Sequence, residues 1–147
     1  MDYLLVLVAG LFVIVQGLQQ SGLVASLSEL LGRWTTTSPT GAALGAGTIV
    51  AFACNLMNNL PAGLIARSVL AAPHVSDVVQ SAVAIGIDIG PNLSVTGSLA
   101  TILWLVALRQ QGEHVSGWTF LKTGAVAMPL ALAAALAGLM LQRALIG

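Results

Sequence analysis

Four long stretches of this chain carry no charged residue: 3–28, 34–66, 89–108 and 123–142. A helix needs about 20 apolar residues, at 1.5 Å each, to cross a bilayer, and each of the four is that long. Of the 147 residues, 57% are hydrophobic and 7% are charged, whereas a soluble domain carries about 25% charge. A globule so poor in charge cannot clothe its own surface. That sets aside a soluble enzyme and makes an integral membrane protein the expectation. Backbone groups in lipid must be satisfied internally, so a spanning chain is helical or a closed barrel. The alternating ten-residue segments of a barrel are missing here, and the expected class is all-α.

The charges that exist balance. Arg33, Arg67, Arg109, Lys122 and Arg143 stand against Asp2, Glu29, Asp77, Asp88 and Glu113. With no basic run, no nucleic-acid partner is expected; membrane lipid is the surrounding partner. The single cysteine, Cys54, excludes an internal disulfide or a thiolate metal cluster. No catalytic triad, nucleotide loop or metal-ligand spacing appears, so the chain reads as a non-enzyme with neither cofactor nor metal.

The charge-free blocks divide into a single membrane domain, 1–147. Residues 2–19 read as a span, since Asp2 replaces the basic start of a signal peptide. Residues 21–33 carry Leu23, Val24, Leu27, Leu30 and Leu31 at helical spacing, with Glu29 and Arg33 four apart, and read as an interfacial helix. A polar turn follows, in which Ser38 or Thr40 caps the next helix. Residues 40–72 are too many for one span and too few for two spans with a turn. Their middle, Asn55-Leu-Met-Asn58-Asn59-Leu-Pro61, is costly against lipid. A re-entrant hairpin accommodates it, with legs Thr40–Cys54 and Ala62–Ala72 reaching about the midplane; the alternative is one kinked helix with a polar linker. Gly41, Gly45 and Gly47 would let the first leg pack closely on a neighbour. Residues 76–109 read as a broken span, because Gly90-Pro91 cannot continue a helix. Residues 118–142 are a last span, kinked at Pro129.

Three features carry chemistry. Asp88 is the one acid at membrane depth, where its charged form costs a few kcal/mol, and a carboxylate so placed suits a proton carrier. The structural alternative pairs it with Arg67 or with backbone N–H groups of the unwound loop. The other two features are polar tips. Asn58, Asn59 and Pro61 precede one half-helix, with Asn59 as cap and Pro61 at its first position. Ser94, Thr96, Gly97 and Ser98 precede the other, with Ser98 as cap. Both N-termini would aim at mid-membrane, where free N–H groups and the positive dipole end favour oxyanions or polarised hydroxyls. Paired broken elements of this kind are a known design of transport sites. Cys54 and Met57 read as packing, and His74 and His114 as surface residues near loops.

The run Asn55-Leu-Met-Asn-Asn-Leu-Pro61, then Gly86-Ile-Asp-Ile-Gly-Pro-Asn92 and Gly97-Ser-Leu-Ala-Thr-Ile-Leu-Trp104, resembles the arsenite/antimonite efflux permeases (ArsB type) of the ion transporter superfamily. The resemblance covers the whole chain but only the last third or so of such a permease. It implies half of an inverted-repeat transporter with a re-entrant hairpin and a broken transmembrane helix. It also implies a proton-coupled antiporter exporting arsenite or antimonite across the inner (plasma) membrane, alone or with a cytosolic arsenite-stimulated ATPase. Carried over, Asn58, Asn59 and Pro61 match the hairpin tip, Asp88, Gly90 and Pro91 the broken helix, and Gly97, Ser98 and Thr101 its second half. Asn92-Leu-Ser-Val-Thr96 departs from the pattern of some relatives. The superfamily builds its site from two repeats and this chain has one, so a missing N-terminal half or a second subunit is expected to supply the other. Competing readings are a sodium- or proton-coupled carrier of another small anion and a truncated, non-transporting membrane protein.

Overall fold

The computed structural model describes residues 2–73 and 75–146, and these are helical with no strand. His74, expected at the surface, lies outside the described residues. Seven α-helices follow in order: α1 Asp2–Gln20, α2 Leu23–Thr37, α3 Pro39–Met57, α4 Asn59–Leu70, α5 Asp77–Ile89, α6 Leu99–Gln110 and α7 Gly117–Ile146. Two short 3₁₀ turns, Gly90–Leu93 and Val95–Gly97, separate α5 from α6. Among the described residues, α3 and α7 are each long and apolar enough to cross a membrane, and Val8–Gln20 with Leu23–Thr37 makes a third candidate bent by 66°. Ser38 starts α3 as expected, its hydroxyl accepting from the N–H of Gly41 at 3.1 Å with Pro39 just inside the helix. Pro129 lies inside α7, which continues as one helix through it.

The core is the pair α3 and α5. Gly47 lies against Ala82 and Gly86, and Ala51 against Gly86 and Gly90. The register advances together on both helices, so they run parallel. A Cβ on Gly47 would sit 2.6 Å from the Ala82 carbonyl oxygen: the two backbones touch, as small residues permit. Two parallel neighbours need a return path, and α4 supplies it. Gly63 lies near Ile87, while Leu70 and Gln80 line one groove, so α4 runs back antiparallel to α5. Residues 39–70 are therefore a helical hairpin. α7 is antiparallel to the α3–α5 pair: Gly124 meets Asn92 and Leu93, and Arg143 Nη1 donates to Thr40 Oγ1 at 3.3 Å. Met128, Leu132 and Leu136, at helical spacing, bury its inner face.

The first two helices clasp the open end of the hairpin. Gln19 Nε2 donates to Ser68 Oγ at 3.0 Å, Ser28 Oγ donates to the Val69 carbonyl, and the Trp34 ring lies on Gly41 and Gly45. All three glycines expected to admit a close neighbour do so, but Gly41 and Gly45 receive an indole and only Gly47 a second helix. By helix rise α3 is about 28 Å long and α4 about 18 Å. The first leg runs on past Cys54 to Met57, longer than expected. The hairpin tip consequently falls off-centre along α7, level with Gly124 and about 10 Å from the Gly117 end.

Candidate transport site

The hairpin tip and the break between α5 and α6 meet at one cluster of amides and hydroxyls. α3 ends because Asn58 adopts φ 74°, ψ 152°, a positive-φ conformation outside the left-handed helical well that residues with a Cβ rarely adopt. Its Oδ1 then accepts from the Leu60 N–H at 3.3 Å, and its Nδ2 donates to the Thr96 carbonyl at 3.2 Å. The cap is therefore Asn58 and not Asn59, which becomes the first residue of α4. Pro61 falls two positions later, buried in the first turn. Either asparagine satisfies the capping chemistry, and the choice is made by where the backbone turns. At the break, Pro91 lacks the N–H that would continue α5 and its ring crowds the preceding turn; the chain tightens into 3₁₀ geometry. Ser98 caps α6 as expected, its hydroxyl accepting from the Ala100 N–H at 3.1 Å.

Ser94, Thr96 and Gly97 close the gap between the tips. The two hydroxyls lie 3.1 Å apart, and Thr96 Oγ1 donates to the Asn55 carbonyl at 3.1 Å. Gly97 is buried where a Cβ would stand 2.5 Å from the Pro91 carbonyl oxygen and 2.8 Å from Asn55 Oδ1. Asn55 itself carries the most bonds. Its Nδ2 donates to the carbonyls of Ala51 and Gly90, at 3.0 and 2.9 Å, and its Oδ1 accepts from the Ser94 N–H and hydroxyl, at 3.1 and 2.8 Å. Asn55 was not among the candidate site residues. The signal available was its place three and four residues before Asn58 and Asn59, one face of a helix. Asn59 is half-buried, and its side chain makes no hydrogen bond to the described residues.

Asp88 stands apart from this cluster. It lies in the last turn of α5 and not in the unwound centre, because the helix persists to Ile89. Its side chain is exposed, and the expected alternatives of a pairing with Arg67 or with loop N–H groups are not formed. Among the described residues the one ion pair is Glu29 with Arg33. Only the Asp88 carbonyl is engaged, by Asn92 Nδ2 at 3.5 Å, a group that also donates to the Ile89 carbonyl at 2.9 Å. Cys54 is fully buried and free, His114 is exposed, and Thr101 is half-buried on α6.

The model of one family, described as arsenical pump membrane protein, matches residues 2–142. The chain belongs to that family. The arsenical pump membrane protein of Escherichia coli (strain K12) is 34% identical over 121 residues, which is 80% of this chain and 28% of that protein. A putative arsenical pump membrane protein of Bacillus subtilis is 30% identical over 124 residues, covering 82% and 28% of the two. An uncharacterized transporter of Mycobacterium tuberculosis is 30% identical over 135 residues, covering 86% and 32%. The chain thus spans less than a third of the length of these relatives. No solved structure matches it. Family and apolar helices together make this arsenical pump family member a membrane protein, and the amide–hydroxyl cluster is its candidate transport site.

Proposed function

We propose that this chain forms the C-terminal part of a proton-coupled antiporter that expels arsenite and antimonite through the inner (plasma) membrane. The observation that carries the reading is the convergence of two capped half-helices, α4 at Asn58 and α6 at Ser98, on one uncharged polar cluster. Trivalent arsenic at neutral pH is mainly an uncharged hydroxide, a small polyol in its hydrogen bonding. A site for it needs donors and acceptors and no full counter-charge. Asn58, Asn59, Ser94, Thr96 and Ser98 are of both kinds, Pro61 and Gly97 shape the two tips, and Asp88 takes the coupling proton. The rest of the protein or a second subunit completes the site, and a cytosolic arsenite-stimulated ATPase is a compatible partner. Uptake of arsenite into everted vesicles containing the intact protein, driven by an imposed proton gradient, tests the reading. Gradient-driven uptake of another anion, with arsenite neither carried nor competing, would replace it with the general anion-carrier alternative.

Within that reading Asn59 is the amide left for solute. Asn59→Ala is expected to lower arsenite resistance at least tenfold, the scale of one charge-free hydrogen bond lost with its desolvated partner. Cys54→Ser, a change inside the packed core of α3, is expected to leave resistance within about twofold. Growth curves against arsenite measure both, and resistance lost with Cys54→Ser would make the Cys54 thiol a ligand of the metalloid.

The membrane disposition proposed is multi-pass: a span at α1, an interfacial α2, a re-entrant α3–α4 hairpin, a broken span of α5 and α6, and a last span at α7. The hairpin's open end then faces outward, and the loop between α6 and α7 faces the cytoplasm. A membrane-impermeant thiol reagent applied to intact cells is expected to label Ala71→Cys and to spare Gln111→Cys until the cells are opened. Equal labelling of both from outside would falsify this disposition.

A further inference from the structure

We infer that Asn55 is the positioning residue of the transport site: it holds the hairpin tip and the broken helix at a fixed spacing and does not itself touch the solute. An asparagine side chain offers two donors and two acceptor positions, and Asn55 uses all four inside the protein. Two of these bonds reach Ser94, one reaches Gly90 and one returns to Ala51 on its own helix. The Asn55 carbonyl adds a fifth link through Thr96 Oγ1. One residue of α3 is thereby tied to both 3₁₀ turns, and the partners lie 35 to 41 positions away in the sequence. Gly97 lets the chain pass close enough for these bonds, since any Cβ there would press on Asn55 Oδ1.

The division of labour among the three amides follows. Asn55 is saturated. Asn58 is committed to the α4 cap and to the Thr96 carbonyl. Asn59 has no side-chain partner among the described residues. A solute entering the cluster can recruit Asn59 at no loss of internal bonds, whereas recruiting Asn55 would free the Ser94 hydroxyl and N–H together. Asn55 and Ser94 are both half-buried, and polar groups left unpaired away from water cost more than the bonds themselves are worth.

This inference rests on the transport reading above, and its test separates the two. One arm needs no solute. In the intact protein carrying Cys54→Ser, nitroxide labels at Leu60→Cys and Ala100→Cys, both exposed, report the distance between the α4 and α6 starts by pulsed electron paramagnetic resonance. A narrow distribution is expected, broadened by Asn55→Ala; a distribution unchanged by Asn55→Ala overturns the clamp whatever is transported. The second arm measures arsenite uptake in everted vesicles at equal membrane abundance. Asn55→Ala is expected to raise KM at least tenfold with maximal velocity within threefold, and Ser94→Ala to raise KM about threefold. Adding Ser94→Ala to Asn55→Ala should change little, because both remove the same link. Additive effects, or an unchanged KM, overturn the proposal. If Asn55→Ala fails to reach the membrane, Ser94→Ala decides by the label distances alone, with a broadened distribution expected and an unchanged one overturning the clamp. If the unsubstituted protein carries no arsenite, the transport reading fails while the label distances still decide the clamp.

Discussion

Gly86→Ala is expected to remove most of the folded protein from the membrane. Alanine is ordinarily the better helix residue by about 1 kcal/mol, and at Gly10, where nothing lies within 4 Å of a Cβ, the same substitution should be neutral or slightly stabilising. At Gly86 the added methyl meets the Gly47 carbonyl oxygen well inside contact distance, and the Ala51 N–H as well. These are backbone atoms of a parallel helix and cannot swing aside as a side chain can. Overpacking costs about 1–3 kcal/mol even where side chains give way, and here two helices must separate along the core. A loss of that size lowers steady-state abundance several-fold. Immunoblots of membrane fractions, with Gly10→Ala alongside, measure it. Equal abundance of the two would mean that α3 and α5 do not touch as described.

Asp88→Asn is expected to abolish uphill efflux while leaving downhill exchange of metalloid. Export of a neutral solute against its gradient needs an energy source. One proton moving inward down 100 mV supplies about 2.3 kcal/mol. The carrier must be a group whose charged form is unfavourable at membrane depth and whose neutral form is mobile. Asp88 is the one acid inside the apolar stretches of α3 to α7, at the end of α5, with no ion-pair partner among the described residues. Asparagine imitates its neutral form permanently, so the loaded element can cross but no longer returns a proton. Asp88→Glu should keep part of the activity with a displaced pH optimum. Vesicles with and without an imposed gradient separate the two modes. Concentrative uptake by Asp88→Asn would move the proton to another group and make Asp88 structural.

Much of this arrangement is legible in the residues before any coordinates. Proline at 39, 61 and 91, with glycine at 90, marks the helix starts and the break, because these residues act on the backbone locally. Ser98 caps where expected for the same reason. What local chemistry leaves undecided is which of two adjacent asparagines leaves the helix first, and the positive φ at Asn58 resolves it. Asp88 reads as unwound because Gly-Pro follows it, yet a helix runs on until the residue whose ring clashes with the preceding turn, and Asp88 lies short of that point. The role of Asn55 is the least legible. Asparagine within a helix is a weak helix former, and the partners of Asn55 outside α3 are remote in sequence; only the parallel packing of α3 on α5 brings them within reach.

That parallel packing has an electrostatic consequence. α3 and α5 both bring their C-terminal ends to the cluster, and α4 and α6 both start there. Each helix end carries about half an elementary charge, negative at the C-terminus and positive at the N-terminus. Two ends of each sign converge, and the amides of Asn55 and Asn92 further quench carbonyls at the ends of α3 and α5. The cluster therefore brings together opposed poles whose net charge is close to zero, and it is rich in directional hydrogen-bonding groups. On the transport reading proposed above, a solute held there would be selected by its shape and its hydroxyls, while the exposed carboxylate of Asp88 stands apart from the cluster.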